Sequence, residues 1–145
     1  MGAIYTALRD YFASSGLDLD EHPDDGWVAT DGFGANGSWL LVGQAHEHLD
    51  CACVYCVLPD RVPEPRRDAV AMLLTRINYG LVIGNFELDL DDGEVRFKAS
   101  ATAPTREQLK ALVAVALGQT DKWVPAVRAV AAGEAPETVF ARILA

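Results

Sequence analysis

Cations are scarce in this chain. Its 145 residues hold 12 lysines and arginines against 21 aspartates and glutamates, a formal charge of −9. No basic cluster offsets that balance. The sequence repels phosphate backbones and anionic lipid surfaces, so neither a nucleic-acid nor a membrane partner is expected. Long apolar runs are missing too. None reaches the roughly 18–20 residues that cross a bilayer, and Met1 to Tyr11 lacks the basic-then-apolar order of a secretory signal. Cysteine is confined to Cys51, Cys53 and Cys56. Three thiols packed so closely make a poor disulfide framework and suit a reducing cytoplasm.

Catalytic signatures are equally sparse. The chain has no Gly-x-Ser-x-Gly and no P-loop. His22, His46 and His48 fall in polar connectors or turns, and the carboxylates are too numerous to single out a pair. Gly32-Phe33-Gly34-Ala35-Asn36-Gly37 matches a dinucleotide fingerprint by letter. The chemistry needs a helix N-terminus next, whereas Ser38-Trp39-Leu40-Leu41-Val42 reads as a strand, so a mobile inter-strand loop is expected instead. Asp89, Asp91, Asp92 and Gly93 hint at a calcium loop, but aligning Gly93 with its sixth position puts Leu88 and Leu90 where ligands belong. His46, His48, Cys51, Cys53 and Cys56 combine imidazole and thiol. On one strand, however, Cys51 and Cys53 share a face and Cys56 opposes them, so core cysteines beside exposed histidines are expected. No catalytic, cofactor-binding or metal-binding residue is assigned. Trp27, Trp39 and Trp123 are expected as core or interface anchors.

What is present is apolar periodicity, in a chain that is half apolar and long enough for one core. Ile4, Leu8, Tyr11 and Phe12 predict a first helix, and Asp18 to Asp25 an acidic connector. Strands are predicted at Trp27 to Thr30, Trp39 to Gln44 and Cys51 to Leu58. Val70, Leu73, Leu74 and Ile77 form the stripe of a second helix, started near Pro65 and ended by a left-handed Gly80. Gly84 to Asp91 and Glu94 to Ala101 alternate around Asp92-Gly93, the signature of a two-residue type I′ hairpin. That turn would set Asp89 opposite Arg96, Glu87 opposite Lys98 and Phe86 opposite Ala99, with Phe86, Leu88, Leu90, Val95 and Phe97 on the buried face. Thr105 and Gln108 form a capping box for a third helix, with a break or kink expected near Gly118 and Pro125. Pro136 starts a last short helix. One buried and one wet strand face implies an antiparallel sheet with helices on one side.

The run Asn78-Tyr79-Gly80-Leu81-Val82-Ile83-Gly84-Asn85-Phe86-Glu87-Leu88-Asp89, then Asp92-Gly93-Glu94-Val95-Arg96-Phe97-Lys98, resembles the signature of the YbjN-domain family. Val57-Leu58-Pro59 and Val62-Pro63-Glu64 are similar as well, and the element order extends the likeness from about Ile4 to about Phe140. The resemblance implies an α+β fold of the type III secretion chaperone kind: about five antiparallel strands, helices on one face, order α-βββ-α-ββ-α. It implies one domain over residues 1–145, with a helical extension from about 120. It brings no catalytic residues. It implies a non-enzymatic, chaperone-like, protein-binding module of the bacterial cytoplasm, a homodimer holding a protein client through edge strands and apolar sheet surface. Two alternatives stand beside it: a metal- or redox-responsive regulator using Cys51, Cys53 and Cys56 with His46 or His48, and a small-molecule sensor with a pocket between sheet and helices.

Overall fold

The computed structural model describes residues 1–144. The elements follow the apolar periodicities. Helix α1 (Ala3–Ala13) leads through strand β1 (Asp20–His22) to β2 (Trp27–Gly34), β3 (Gly37–His46) and β4 (Cys51–Val57). Helix α2 (Arg67–Tyr79), strands β5 (Asn85–Leu88) and β6 (Val95–Thr102), and helices α3 (Arg106–Ala131) and α4 (Pro136–Leu144) complete the chain. All strand pairs are antiparallel, in the order β1-β2-β3-β4-β6-β5. The fold is α+β, as expected, but the sheet has six strands rather than five. The extra one, β1, lies in what reads as the acidic connector. Three residues, Asp20, Glu21 and His22, carry no apolar alternation to betray a strand.

One sheet face is buried. Val28, Leu41, Val54, Cys56, Val95 and Phe97 pack with Leu8 and Phe12 of α1, Val70 and Leu73 of α2 and Leu109 and Ala116 of α3 in a single core. The side chains between them along each strand, such as Asp31, Leu40 and Ser38, are exposed on the other face. The α1 N-terminus is capped from afar. Both oxygens of the Glu47 carboxylate accept bonds from its first turn, Ile4 N–H at 3.0 Å and Tyr5 N–H at 2.9 Å. The Thr105–Gln108 capping box forms as expected.

Four local expectations are corrected. The Gly32–Gly37 stretch is not a loop: β2 and β3 run through it, with Gly34 opposite Gly37 and only Ala35-Asn36 between. Gly80 is right-handed (φ −93°), so its lack of a Cβ is not what ends α2. Helix α3 is continuous through Gly118 and Pro125. Proline leaves the Asp121 carbonyl, four residues back, without its helical donor; the Asn36 side-chain amide supplies one at 2.9 Å. The same hairpin tip bonds Asp121 Oδ1 through its backbone N–H (2.8 Å) and receives an Arg128 N–H on its carbonyl (3.0 Å). A Cβ at Gly34 would overlap the Asp121 carboxylate, so glycine there admits the clamp.

The fourth correction is the β5–β6 register, which is shifted by two residues. Phe86 faces Phe97, Glu87 faces Arg96 and Leu88 faces Val95. The loop is wider than two residues because Asp89 and Asp92 bond their own neighbours: Asp89 Oδ1 accepts from Asp91 N–H (2.9 Å), and Asp92 Oδ1 from Glu94 N–H (2.8 Å). Gly93 sits at φ +82° against the Val62 carbonyl. A shift of two preserves the faces, but Leu90 leaves the sheet and is 60% exposed.

Candidate functional site

The cysteine-rich strand does not assemble a centre. Cys56 points into the core, where burial pushes its thiol up to about 12. Cys51 and Cys53 lie on the opposite face, the latter also raised, first by burial and then by Cys51. Among the described residues no three His, Cys, Asp or Glu side chains gather at metal-binding geometry. His46 pairs with Cys51 across the β3–β4 ladder, His48 lies in the short 3-10 turn Glu47–Leu49, and His22 stacks on Trp27 at the far edge. Trp39 and Trp123 are core residues, and Trp27 is half-buried.

The uncovered sheet face is mixed. Val42, Tyr55 and Val57 are half-buried in its middle and Leu40 is exposed. Toward β5, Glu87 receives Arg96 and Lys98, each at 2.8 Å, and Arg96 lies over the Tyr55 ring. Burial works to raise the Glu87 carboxyl, but the bonds from Lys98 and Arg96 outweigh it and hold the group below its ordinary range. Burial, then neighbouring Cys53, pushes the Tyr55 phenol up to about 12.

The outer edge of β5 is capped at Phe86. Asp89 N–H bonds the Glu94 carbonyl, so odd residues of β5 face β6 and Phe86 turns its N–H and C=O outward. The Asn78 side chain takes both: Oδ1 accepts the Phe86 N–H at 2.8 Å, and Nδ2 donates to the Phe86 carbonyl at 3.0 Å. In the loop beyond Leu88, Arg67 holds the Leu90 and Asp91 carbonyls at 3.2 and 3.1 Å. A side-chain amide thus stands where another strand would pair, one of the ways proteins blunt a sheet edge. The sequence signal was Asn78 eight residues before Phe86, which no periodicity marks.

Beside this edge is the most exposed apolar surface. Tyr79 is 96% and Val82 97% exposed, with Ile83 and Met72 near half. From Met72 to Phe86 the only charged residue is Arg76. At the opposite end of the sheet, a cleft of about 300 Å³ opens between α1, β2 and α3, lined by Tyr11, Phe12, Leu17, Phe33, Leu41 and Leu117 among others. No described helix is long and apolar enough to cross a membrane.

No curated protein matches the sequence significantly. Solved structures do. The chain is similar to YbjN from E. coli (16% identity, TM-score 0.61, covering 81% of this chain and 85% of that one). It is similar to a chain of the ExsC–ExsE complex (18% identity, TM-score 0.60, 85% and 94% covered). It is also similar to a chain of the heterodimeric ExoU–SpcU complex of the Pseudomonas aeruginosa type III secretion system (20% identity, TM-score 0.54, 80% and 93% covered). At these identities the likeness is one of fold. The family model described as "Putative bacterial sensory transduction regulator" matches residues 5–129, and the chain belongs to that family, YbjN.

Proposed function

We propose that this chain is a non-enzymatic, chaperone-like protein-binding module of the cytoplasm, which pairs with a second copy of itself and holds a segment of another protein. The observation that carries the reading is the Tyr79–Val82 surface. A folded chain with a complete core leaves a tyrosine and a valine almost fully in water, three positions apart. Contiguous exposed apolar surface of this kind marks an interaction site. Charge favours a second copy as its occupant. Two chains of −9 repel, and this is a stretch of surface without a carboxylate, where they approach at least cost. Asn78 caps Phe86 in the middle of the β5 edge, which favours a contact through side chains of α2 and the following loop over one continuous sheet. Structural similarity to chains solved in ExsC–ExsE and chaperone–effector complexes supports the second half of the proposal, a bound protein client.

Light scattering after size exclusion tests the pairing. The expected mass is twice the 15.6 kDa of the chain, falling to that of one chain in Val82→Asp with Tyr79→Glu while the circular dichroism is unchanged. A wild-type chain that runs as a monomer up to about 1 mM, the weak end of specific association, overturns it. For the client, a photo-reactive residue at position 33, 40 or 82 in living cells should cross-link a protein other than this chain. Cross-links to itself alone from all three positions remove the client half of the proposal.

A further inference from the structure

On the uncovered face of the sheet, β4 presents two thiols side by side. Ala52, Val54 and Cys56 enter the core, and Cys51, Cys53 and Tyr55 alternate with them on the other side. Residues two apart on one strand face stand roughly 6.6 Å apart. The Cys51 thiol leans along the strand toward its neighbour, donating to the Ala52 carbonyl at 3.7 Å, and the two thiols are in hydrogen-bond contact. Cys51 is half-buried and Cys53 only 7% exposed, so the pair opens to solvent at the Cys51 end.

That spacing excludes one chemistry and admits another. A disulfide draws its two Cβ atoms to about 3.8 Å. β4 cannot shorten so far, because every residue from Cys51 to Val57 is paired with β3 on one side and β6 on the other. A metal ion between two thiolates reaches farther. With bonds of about 2.3 Å on either side, the sulfurs stand up to about 4.6 Å apart, and each has only to lean about 1 Å from its Cβ toward the other. The ladder also sets the rim. His46 and Thr102 flank Cys51, and Gln44 and Ser100 flank Cys53. None of these is a carboxylate, the ligand of hard dications. Among the described residues no third His, Cys, Asp or Glu joins the pair at metal-binding geometry, which does not suit zinc, whose structural sites take four ligands. What the strand offers is a pair of soft ligands, the set that holds a thiophilic monovalent cation in line between them.

We propose that Cys51 and Cys53 bind one Cu(I) ion between their sulfurs, a two-coordinate thiolate site on the uncovered face of β4. Two S–H bonds break and two Cu–S bonds form; both protons pass to solvent and no electron moves. His46 lies directly across the ladder from Cys51, so an imidazole borders the more open end of the pair. Cys56, turned into the core, takes no part. The inference is independent of the protein-binding reading, since it uses neither Tyr79 nor Val82.

Titrating reduced protein, without oxygen, into the Cu(I) complex of bicinchoninate tests the site through the loss of the chelator's colour. The wild-type chain should take up one copper. Cys51→Ser and Cys53→Ser should each lose affinity by more than the roughly 10–100-fold that changes outside the ligands themselves cost, with the circular dichroism unchanged. Cys56→Ala should still bind one copper. X-ray absorption of the loaded wild-type protein, which needs no variant, should show two sulfur neighbours, and equimolar Zn(II) should not displace the copper. Copper left on the chelator overturns the proposal. So does wild-type affinity in either serine variant, loss of binding in a folded Cys56→Ala chain, one copper shared between two chains, ligation by nitrogen and oxygen alone, or displacement by zinc.

Discussion

Replacing Asn78 tests whether the β5 edge is sealed by a specific amide or merely crowded. In the native chain its two side-chain atoms satisfy the Phe86 N–H and C=O at 2.8 and 3.0 Å. Each such bond contributes about 1 kcal/mol net, and more is lost where the freed group is kept from water. Asn78→Ala is therefore expected to cost about 2 kcal/mol. For a chain near 150 residues each kcal/mol lowers Tm by roughly 2–4 °C, so the midpoint should fall by roughly 4–8 °C. Two controls separate hydrogen bonding from space filling. Asn78→Leu keeps the bulk and loses both bonds. Asn78→Asp keeps the acceptor for the N–H but turns an oxygen toward the Phe86 carbonyl. Both should be destabilised to within about 1 kcal/mol of the alanine variant. The exposed edge adds a second signature: in light scattering at rising concentration, Asn78→Ala should form species larger than the wild type does, because an unpaired edge is a template for further strands. Urea unfolding gives the energies. If Asn78→Leu matches wild type within about 0.3 kcal/mol and no variant associates further, the amide does not seal the edge.

The clamp over Pro125 predicts a coupled pair. Asn36→Ala alone should cost about 1 kcal/mol by orphaning the Asp121 carbonyl. In a Pro125→Ala background, where a helical N–H can reach that carbonyl, the same change should cost at least about 0.5 kcal/mol less in urea unfolding; strict additivity would sink the account. Glu87 carries a pH prediction. Its folded pKa is depressed, so its contribution is present above the unfolded carboxyl value near 4.3 and is lost as pH falls through the lower folded one. Glu87→Gln should be less stable than wild type by about 0.5–1 kcal/mol at neutral pH, with the gap closing in acid; a gap that widens as pH falls contradicts the assignment.

The helices and most strands were legible because each is a local period written in apolar residues: Val70, Leu73, Leu74 and Ile77 on α2, or Val95, Phe97 and Ala99 on β6, which alternate into the core as the pattern requires. The inward turn of Cys56 against Cys51 and Cys53 was legible for the same reason. The features that escaped depend on partners distant in sequence. Nothing near Pro125 reveals that Asn36, 85 positions before Asp121, will occupy the freed carbonyl. The β5–β6 register departs from the two-residue turn that Asp92-Gly93 predicts, because the Asp89 and Asp92 carboxylates bond the loop into a wider form. The exposed Tyr79–Val82 surface escaped for a deeper reason. Apolar residues such as Tyr79 and Val82 read like core residues in the sequence, and only the packing of the rest of the chain leaves them in water.

Charge and edge chemistry are segregated along the same axis of the sheet. Residues 10–60 supply β1 to β4 and contain no lysine or arginine, whereas every cation except Arg9 comes from residue 61 onward. The acidic half ends in β1; the other half ends in β5, capped at Phe86 by Asn78, beside the carboxylate-free Tyr79–Val82 surface. Five strand spacings, roughly 24 Å, separate the two borders of the sheet. Self-association at the β5 border would leave the acidic border of each copy facing away from the contact. The same placement keeps the two acidic halves apart, since their separation in the pair exceeds the Debye length of about 8 Å at physiological salt.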